Sequence, residues 1–143
     1  MSTRSSFAYN GGGTWRFYER EGVNIPMAEI REHASAIAAV EGIAARNDFI
    51  ATIRLKIKRA ALGQLVPPAD AKTRMARRPD SNELRWLFES THWRLYYSEP
   101  LRLYTERVML GLRFNIKRSM EQQNRDIDEA SLRNVWWHAY SSE

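Results

Sequence analysis

Two short runs in which apolar and polar residues alternate constrain the fold of this chain more than any other feature. The runs are Glu83-Leu84-Arg85-Trp86-Leu87-Phe88 and His92-Trp93-Arg94-Leu95-Tyr96-Tyr97. A period of two residues is typical of a β-strand that buries one face. Because only a short turn separates the runs, we expect two neighbouring antiparallel strands.

The alternation assigns the side chains of both strands to two faces. Leu84 and Trp86 would point the same way as Trp93 and Leu95, which gives the pair an apolar side. The opposite, solvated side would carry Glu83, Arg85, His92, Arg94 and Tyr96. Arginines beside a carboxylate, an imidazole and a phenol are able to bind a phosphate and to transfer protons around it.

Length and composition favour one folded domain behind a loose N-terminus. The chain has 143 residues, of which 43% are hydrophobic, enough to form a core. Residues 1–13 end in three consecutive glycines and predict a flexible leader, so the domain is expected to span residues 14–143. We find no internal repeat.

Several classes of protein are disfavoured by what the sequence lacks. It contains no cysteine, which excludes disulfides, thiol catalysis and cysteine-bound zinc. Its three scattered histidines make a metal site improbable, and no cofactor is expected. There is no apolar run long enough for a transmembrane helix and no apolar segment typical of a secretory signal. We therefore expect a cytoplasmic protein that does not bind membranes.

Basic residues are concentrated in the second half of the chain. The formal net charge is +5, and eleven basic residues against five acidic ones between Lys72 and Arg118 account for all of this excess. Clustered arginine favours a polyanionic partner, because a guanidinium stays charged and forms paired hydrogen bonds with phosphate oxygens. An ordinary basic surface is the alternative interpretation.

The rest of the chain completes an α+β prediction. A strand is expected at residues 14–18, a helix from Pro26 to about Ile43, a second helix capped near Asp48, a short strand at 72–77 and a strand at 107–114. Within 107–114, the inward residues would be Val108, Leu110, Leu112 and Phe114. A last helix, at about 124–140, would bury the stripe Leu132, Val135, Trp136, Ala139 and Tyr140. The prediction is an antiparallel sheet of about four to five strands with two N-terminal helices and one C-terminal helix, all on one face, and the other face open to water.

The order of these motifs resembles the RelE/HigB-like toxins of bacterial and phage type II toxin–antitoxin modules, which belong to the ParE/RelE superfamily. The resemblance covers roughly Trp15 to Tyr140. It is carried by Glu83-Leu84-Arg85, Trp93-Arg94-Leu95-Tyr96-Tyr97, Val108-Met109-Leu110 through Phe114 and Lys117, and Asp126-Ile127-Asp128-Glu129-Ala130-Ser131-Leu132-Arg133. The chain departs from the family pattern in its longer linkers and in the segment Asn115-Ile116-Lys117-Arg118.

The resemblance implies a RelE-like fold and a metal-independent endoribonuclease that cleaves messenger RNA, usually on the ribosome, and inhibits translation. A cognate antitoxin protein would neutralise it. Arg94 matches the strand arginine that contacts the scissile phosphate, and Arg85 matches the arginine of the preceding strand. Lys117 and Arg118 lie near the basic strand end where a residue that stabilises the transition state is often found.

The residues themselves leave each remaining role with two interpretations. Glu83 is the first candidate for general base, and an ion pair with an arginine is its alternative. His92 would be an acid, a base or an exposed turn residue. Tyr96 would stack on a base or cover the sheet. Lys72 and Arg74 would extend the phosphate track or be solvated loop charges. Arg113 would project to the same open face as Arg85 and Arg94 and bind RNA there.

Two other functions are compatible with the same fold. One is a ParE-like toxin that binds DNA gyrase and leaves RNA intact. The other is a regulatory module that binds nucleic acid without cleaving it.

Overall fold

The computed structural model describes residues 6–73, 75, 77–78, 80–100 and 106–140. Within these residues the helices are α1 (Ile25–Glu41), α2 (Ile43–Ala61) and α3 (Met120–Tyr140). The strands are β1 (Thr14–Phe17), β2 (Glu19–Arg20), β3 (Val23–Asn24), β4 (Ala71–Lys72), β5 (Asn82–Phe88), β6 (Thr91–Ser98) and β7 (Val108–Ile116). The predicted α+β class is confirmed. No helix in this part of the chain combines the length and the apolar character needed to cross a membrane.

The main sheet has five strands in the order β1-β7-β6-β5-β4, and β2 and β3 form a separate small pair. Neighbours in the main sheet are antiparallel except at one edge, where β1 runs parallel to β7 with Thr14 opposite Val108. The prediction of a purely antiparallel sheet is therefore wrong at its first strand. Two helices separate β1 from the rest of the sheet, and such a long crossover allows parallel pairing.

The glycine-rich segment before β1 is packed from Ser6 onward, whereas a flexible leader was expected over residues 1–13. Phe7 and Ala8 are buried in the main core. The Leu65 amide donates to the carbonyl of Ala8 at 2.9 Å, and the Gly13 amide donates to that of Ala61 at 2.9 Å. The segment therefore fills a groove beside the end of α2.

Helices α1 and α2 cover one face of the sheet. The Asn24 side chain caps α1 by accepting a hydrogen bond from the Met27 amide at 3.0 Å. Gly42, with φ of 97°, separates the two helices, so α2 begins at Ile43 and not near the expected cap at Asp48. The shared core of this face includes Ile30, Ala34, Phe49, Ile53, Leu84, Trp86, Trp93, Leu95 and Phe114.

Helix α3 covers part of the opposite face, which was expected to be open to water. A second core lies between α3 and this side of the sheet, formed by Tyr18, Met75, Tyr96, Val108, Leu110, Leu112, Ile127, Ala130 and Trp137. The prediction that all helices lie on one face is therefore wrong. We call this side of the sheet the α3 side.

The face that α3 buries also differs from the predicted stripe. Val135 and Tyr140 are 59% and 80% exposed, and Leu132 is exposed as well. The buried residues of the helix are Gln123, Asp126, Ile127, Ala130, Arg133, Asn134 and Trp137. Four of these seven are polar because the sheet offers them polar partners, so a search for apolar periodicity selects the wrong face.

A β-bulge in β7 explains why its apolar residues face two different cores. Tyr96 lies opposite Arg113 and Tyr97 lies opposite Gly111, which leaves Leu112 without a cross-strand partner. Phe114 consequently faces α1 and α2, while Leu112 belongs to the core under α3. The expectation that Val108, Leu110, Leu112 and Phe114 share one face is corrected by this extra residue.

The close approach of the N-terminal segment to α2 is testable at Gly12. Its φ is +68°, and an added Cβ would lie 2.0 Å from the carbonyl oxygen of Ala61. Gly22 has a similar φ of +80° and nothing within 4 Å of the same position. By urea denaturation, Gly22→Ala should lower the free energy of unfolding by about 1–2 kcal/mol through backbone strain alone. Gly12→Ala should lower it further, and equal losses would contradict the packed arrangement.

Candidate functional site: a cationic cluster around a buried glutamate

The strand register brings predicted site residues together on the α3 side of the sheet. Lys72 lies opposite Glu83 across the β4–β5 pair, and Arg85 lies opposite Arg94 across the β5–β6 pair. Residues directly opposite one another point to the same face of a sheet. Glu83, Arg85 and Arg94 therefore share one face of the sheet, as predicted. The expectation that this face is solvated is wrong for Glu83 and Arg94, which are both buried on the side that α3 partly covers.

The carboxylate of Glu83 is fully buried at the centre of this group, with a relative exposure of 0%. Its Oε2 lies 2.9 Å from Arg85 Nε and 2.7 Å from Arg94 Nε. Its Oε1 accepts a hydrogen bond from Gln123 Nε2 of α3 at 3.1 Å. Both carboxylate oxygens are engaged, so Glu83 orients the arginines. Its role is therefore the ion pair that the sequence analysis gave as the alternative to a general base.

The two arginines differ in how far they are withdrawn from solvent. The side chain of Arg94 is 7% exposed, and its Nη1 donates to its neighbour's carbonyl, that of Trp93, at 2.9 Å. Its Nε is close to Glu83, but the N–H is not aligned for a hydrogen bond. The side chain of Arg85 is 26% exposed, and its Nη1 donates to the Pro68 carbonyl at 3.1 Å. Both guanidinium groups are thus fixed by contacts that leave part of their donor capacity unused.

Lys117 brings a further positive charge to the same side of the sheet. Its amide donates to the carbonyl of His92 at 2.8 Å, which extends the β6–β7 pairing by one residue. Burial lowers the pKa of the Lys117 ammonium, and the charge of Arg94 lowers it further, against the opposing effect of Glu83. We call Lys72, Arg85, Arg94 and Lys117, grouped around Glu83, the cationic cluster.

A shallow open pocket of about 330 Å³ lies beside the cluster. Arg85 and Arg94 line one part of it, and the other lining residues are Pro68, Ala69, Trp86, Leu87 and His92. His92 is exposed and lies directly opposite Leu87 across the β5–β6 pair. The imidazole therefore lies beside the guanidinium groups in a position open to solvent, where an acid or base is able to reach a bound phosphodiester.

Two residues predicted to contact RNA, Tyr96 and Arg113, are engaged in contacts within the protein. Tyr96 is 1% exposed beneath α3, and burial followed by the charge of Glu83 raises the pKa of its phenol. The stacking role proposed for it is therefore wrong, because no face of the ring is accessible. Arg113 shares the face of Tyr96 but forms ion pairs with Glu29 and with Asp126, the latter at 3.0 Å. Two carboxylates neutralise this guanidinium, so we place Arg113 outside the site.

Two of the three remaining predicted contacts, Lys72 and Arg118, are among the described residues. Lys72 is exposed on the short strand β4. Arg118 is exposed between β7 and α3, where its amide donates to Gln122 Oε1 at 2.8 Å. Arg74 lies outside the described residues. Lys72, which lies opposite Glu83, is therefore placed to contact a polyanion beside the two arginines, and Arg118 directly follows Lys117 in the chain.

The structure adds two residues that sequence reasoning missed. Gln123 holds Glu83 from the first turn of α3, and its polar character concealed it from a search for apolar periodicity. Leu87 is 65% exposed beside His92. Its position was available from the sequence, since it continues the alternation of Glu83 and Arg85.

The described residues contain no group of three or more histidine, aspartate or glutamate side chains arranged to hold a metal ion. Comparison with protein-family models, with curated proteins and with solved structures gave no match to this chain. Geometry and charge are therefore the grounds on which the cationic cluster is interpreted.

The role of Glu83 as the anchor of the cluster predicts a large effect of Glu83→Gln. An amide keeps the shape but withdraws the negative charge from Arg94, so the free energy of unfolding in urea at pH 7 should fall by roughly 3 kcal/mol. The control is Glu121→Gln, which removes an 86% exposed carboxylate paired with Arg125. This control should change stability by less than about 0.5 kcal/mol. Similar effects of the two substitutions would show that Glu83 does not anchor the arginines.

Proposed function

We propose that this protein is a metal-independent endoribonuclease whose cationic cluster binds the scissile phosphate of messenger RNA. The observation that carries the proposal is the pair Arg85 and Arg94, held opposite one another on a single buried carboxylate with Lys117 on the same side. A phosphodiester passing through a pentacoordinate transition state gains negative charge, which fixed guanidinium groups stabilise.

Each step of the cleavage has a candidate group. The 2′-hydroxyl attacks the adjacent phosphorus, and neutral His92 takes its proton. The bond between phosphorus and the 5′-oxygen breaks, and the Lys117 ammonium donates a proton to that oxygen. The products are a 2′,3′-cyclic phosphate and a 5′-hydroxyl. A lowered pKa suits Lys117 to this role, because an ordinary lysine ammonium gives up its proton too reluctantly at neutral pH.

The biological setting that we propose follows from the motif resemblance. In that setting the protein is a type II toxin of the RelE/HigB kind, with a RelE-like fold, that cleaves message on the ribosome in the cytoplasm. A cognate antitoxin would silence it. The motifs Glu83-Leu84-Arg85 and Trp93-Arg94-Leu95 support the proposal, because they are the segments that form the cationic cluster.

A non-catalytic nucleic-acid-binding module is the second candidate. It is favoured by the engagement of both Glu83 oxygens, which leaves the cluster without a free carboxylate base among the described residues. Such a protein would use the same arginines to hold a phosphate backbone and would leave the RNA intact.

Cleavage of an end-labelled messenger RNA, free and in a translating lysate, separates the two candidates. The wild-type protein should cleave it and leave cyclic phosphate ends, and cleavage of free RNA should continue with EDTA present. Arg94→Ala and the more exposed Arg85→Ala should each reduce the rate on the order of 100-fold, the usual cost of losing one charge-stabilising donor.

The matched control is Arg54→Ala, which removes an exposed arginine of α2 on the other side of the sheet and should leave the rate unchanged. Urea denaturation of each variant separates loss of activity from loss of folding. Folded wild-type protein that binds RNA tightly and leaves it intact would favour the binding module.

The role of Lys117 predicts a characteristic pH dependence. Because its ammonium must donate a proton and its pKa is lowered, the rate should fall on the alkaline side at a pH below the value of about 10.4 at which an ordinary lysine titrates. Lys117→Arg keeps the positive charge but hardly releases a proton, so the rate should drop and this alkaline limb should disappear. An unchanged limb in Lys117→Arg would assign the proton transfer to another group.

A further inference from the structure

We infer that the pocket beside the cationic cluster binds one unpaired nucleobase, so that the substrate is single-stranded RNA with a base displaced from its neighbours. The inference rests on the proposed function, since it names what lies next to the phosphate. The pocket, of about 330 Å³, falls within the size range of small-molecule sites, roughly 300–1,000 Å³.

The pocket has a charged part and an apolar part, as a nucleotide has a charged phosphate and a largely apolar base. Arg85 and Arg94 form the charged part, suited to a phosphate. Pro68 and Leu87 form an apolar part, and the exposed imidazole of His92 supplies a flat ring of the kind on which bases stack. A single exposed leucine is unremarkable by itself. Here it lies opposite an aromatic ring in a concave site, and that combination favours a base.

The spacing of the two parts matches one nucleotide. Leu87 and His92 form one cross-strand pair, and Arg85 and Arg94 form another pair two residues along each strand. Two steps along a strand span about 7 Å. This is comparable to the separation that a ribose imposes between a phosphate and its base, so one nucleotide is able to contact both pairs.

The geometry also restricts the form of the RNA. In a duplex the bases are stacked and paired inside the helix, and their faces are not available to a pocket on a protein surface. A base held between Leu87 and His92 must therefore come from a single strand or be displaced from a helix. Such contacts are sequence-tolerant, because every base has an aromatic face.

The test uses single-stranded 12-nucleotide 2′-O-methyl RNAs, which lack the attacking hydroxyl, with one abasic residue placed at each position in turn. Fluorescence anisotropy measures their affinity for the full chain. At one position, removal of the base should weaken wild-type binding about tenfold. Leu87→Ser should weaken binding of the intact strand by a similar factor and should bind intact and abasic strands equally.

The control is Leu55→Ser, which replaces a leucine of similar exposure on α2 and should retain the difference between intact and abasic strands. The base pocket would be overturned if the wild-type protein bound every abasic strand as tightly as the intact strand. It would also be overturned if Leu87→Ser weakened binding of the abasic strand as much as binding of the intact strand. If cleavage of natural RNA persists in either case, the proposed function stands. Failure of the wild-type protein to bind any of the strands would also overturn the base pocket, and the proposed function would still be decided separately, by cleavage of natural message in the translating lysate.

Discussion

One buried carboxylate organises this side of the protein. Glu83 has no exposed surface; it accepts hydrogen bonds from Arg85 of β5 and Gln123 of α3, and it forms an ion pair with Arg94 of β6. A charge withdrawn from water is tolerated only when it is paired and hydrogen-bonded. The first turn of α3, through Gln123, therefore completes the contacts of the carboxylate that orients Arg85 and Arg94. The docking of the last helix and the shape of the cationic cluster are two results of the same electrostatic requirement.

Polar contacts hold α3 in place together with the apolar core that it shares with the sheet. Asn134 Oδ1 accepts a hydrogen bond from Ser98 at 2.7 Å, and Arg133 forms two bonds with the Glu29 carboxylate, at 3.1 Å and 2.9 Å. These partners come from distant parts of the chain, so the helix sequence alone does not reveal them. Apolar periodicity consequently pointed to the exposed side of α3. The same method succeeded for the strands of residues 82–98, where buried apolar side chains alternate with the residues of the other face.

For the candidate site, residue type and facing direction were predictable, and accessibility was not. The period of a strand and a short turn are enough to pair Arg85 with Arg94, and the basic residue after β7 falls beside them. Whether a side chain on that face is reachable depends on what covers it. Tyr96 is unable to contact RNA because α3 lies over it, and the residues next to Tyr96 in the sequence do not show that a helix covers it.

The parallel pairing of β1 with β7 joins the beginning of the fold to its end. Thr14 is able to pair with Val108 only after Val108 has been synthesised. The pairs β5–β6 and β6–β7, by contrast, join strands that are close together in the chain. Contacts between distant segments carry a large entropy of loop closure and form slowly. Until β7 exists, the backbone amides and carbonyls of β1 have no ladder to join. Strand β1 precedes the other four strands of the main sheet in the chain, and it is thereby unable to complete its hydrogen bonds until β7, the last of them, has been made.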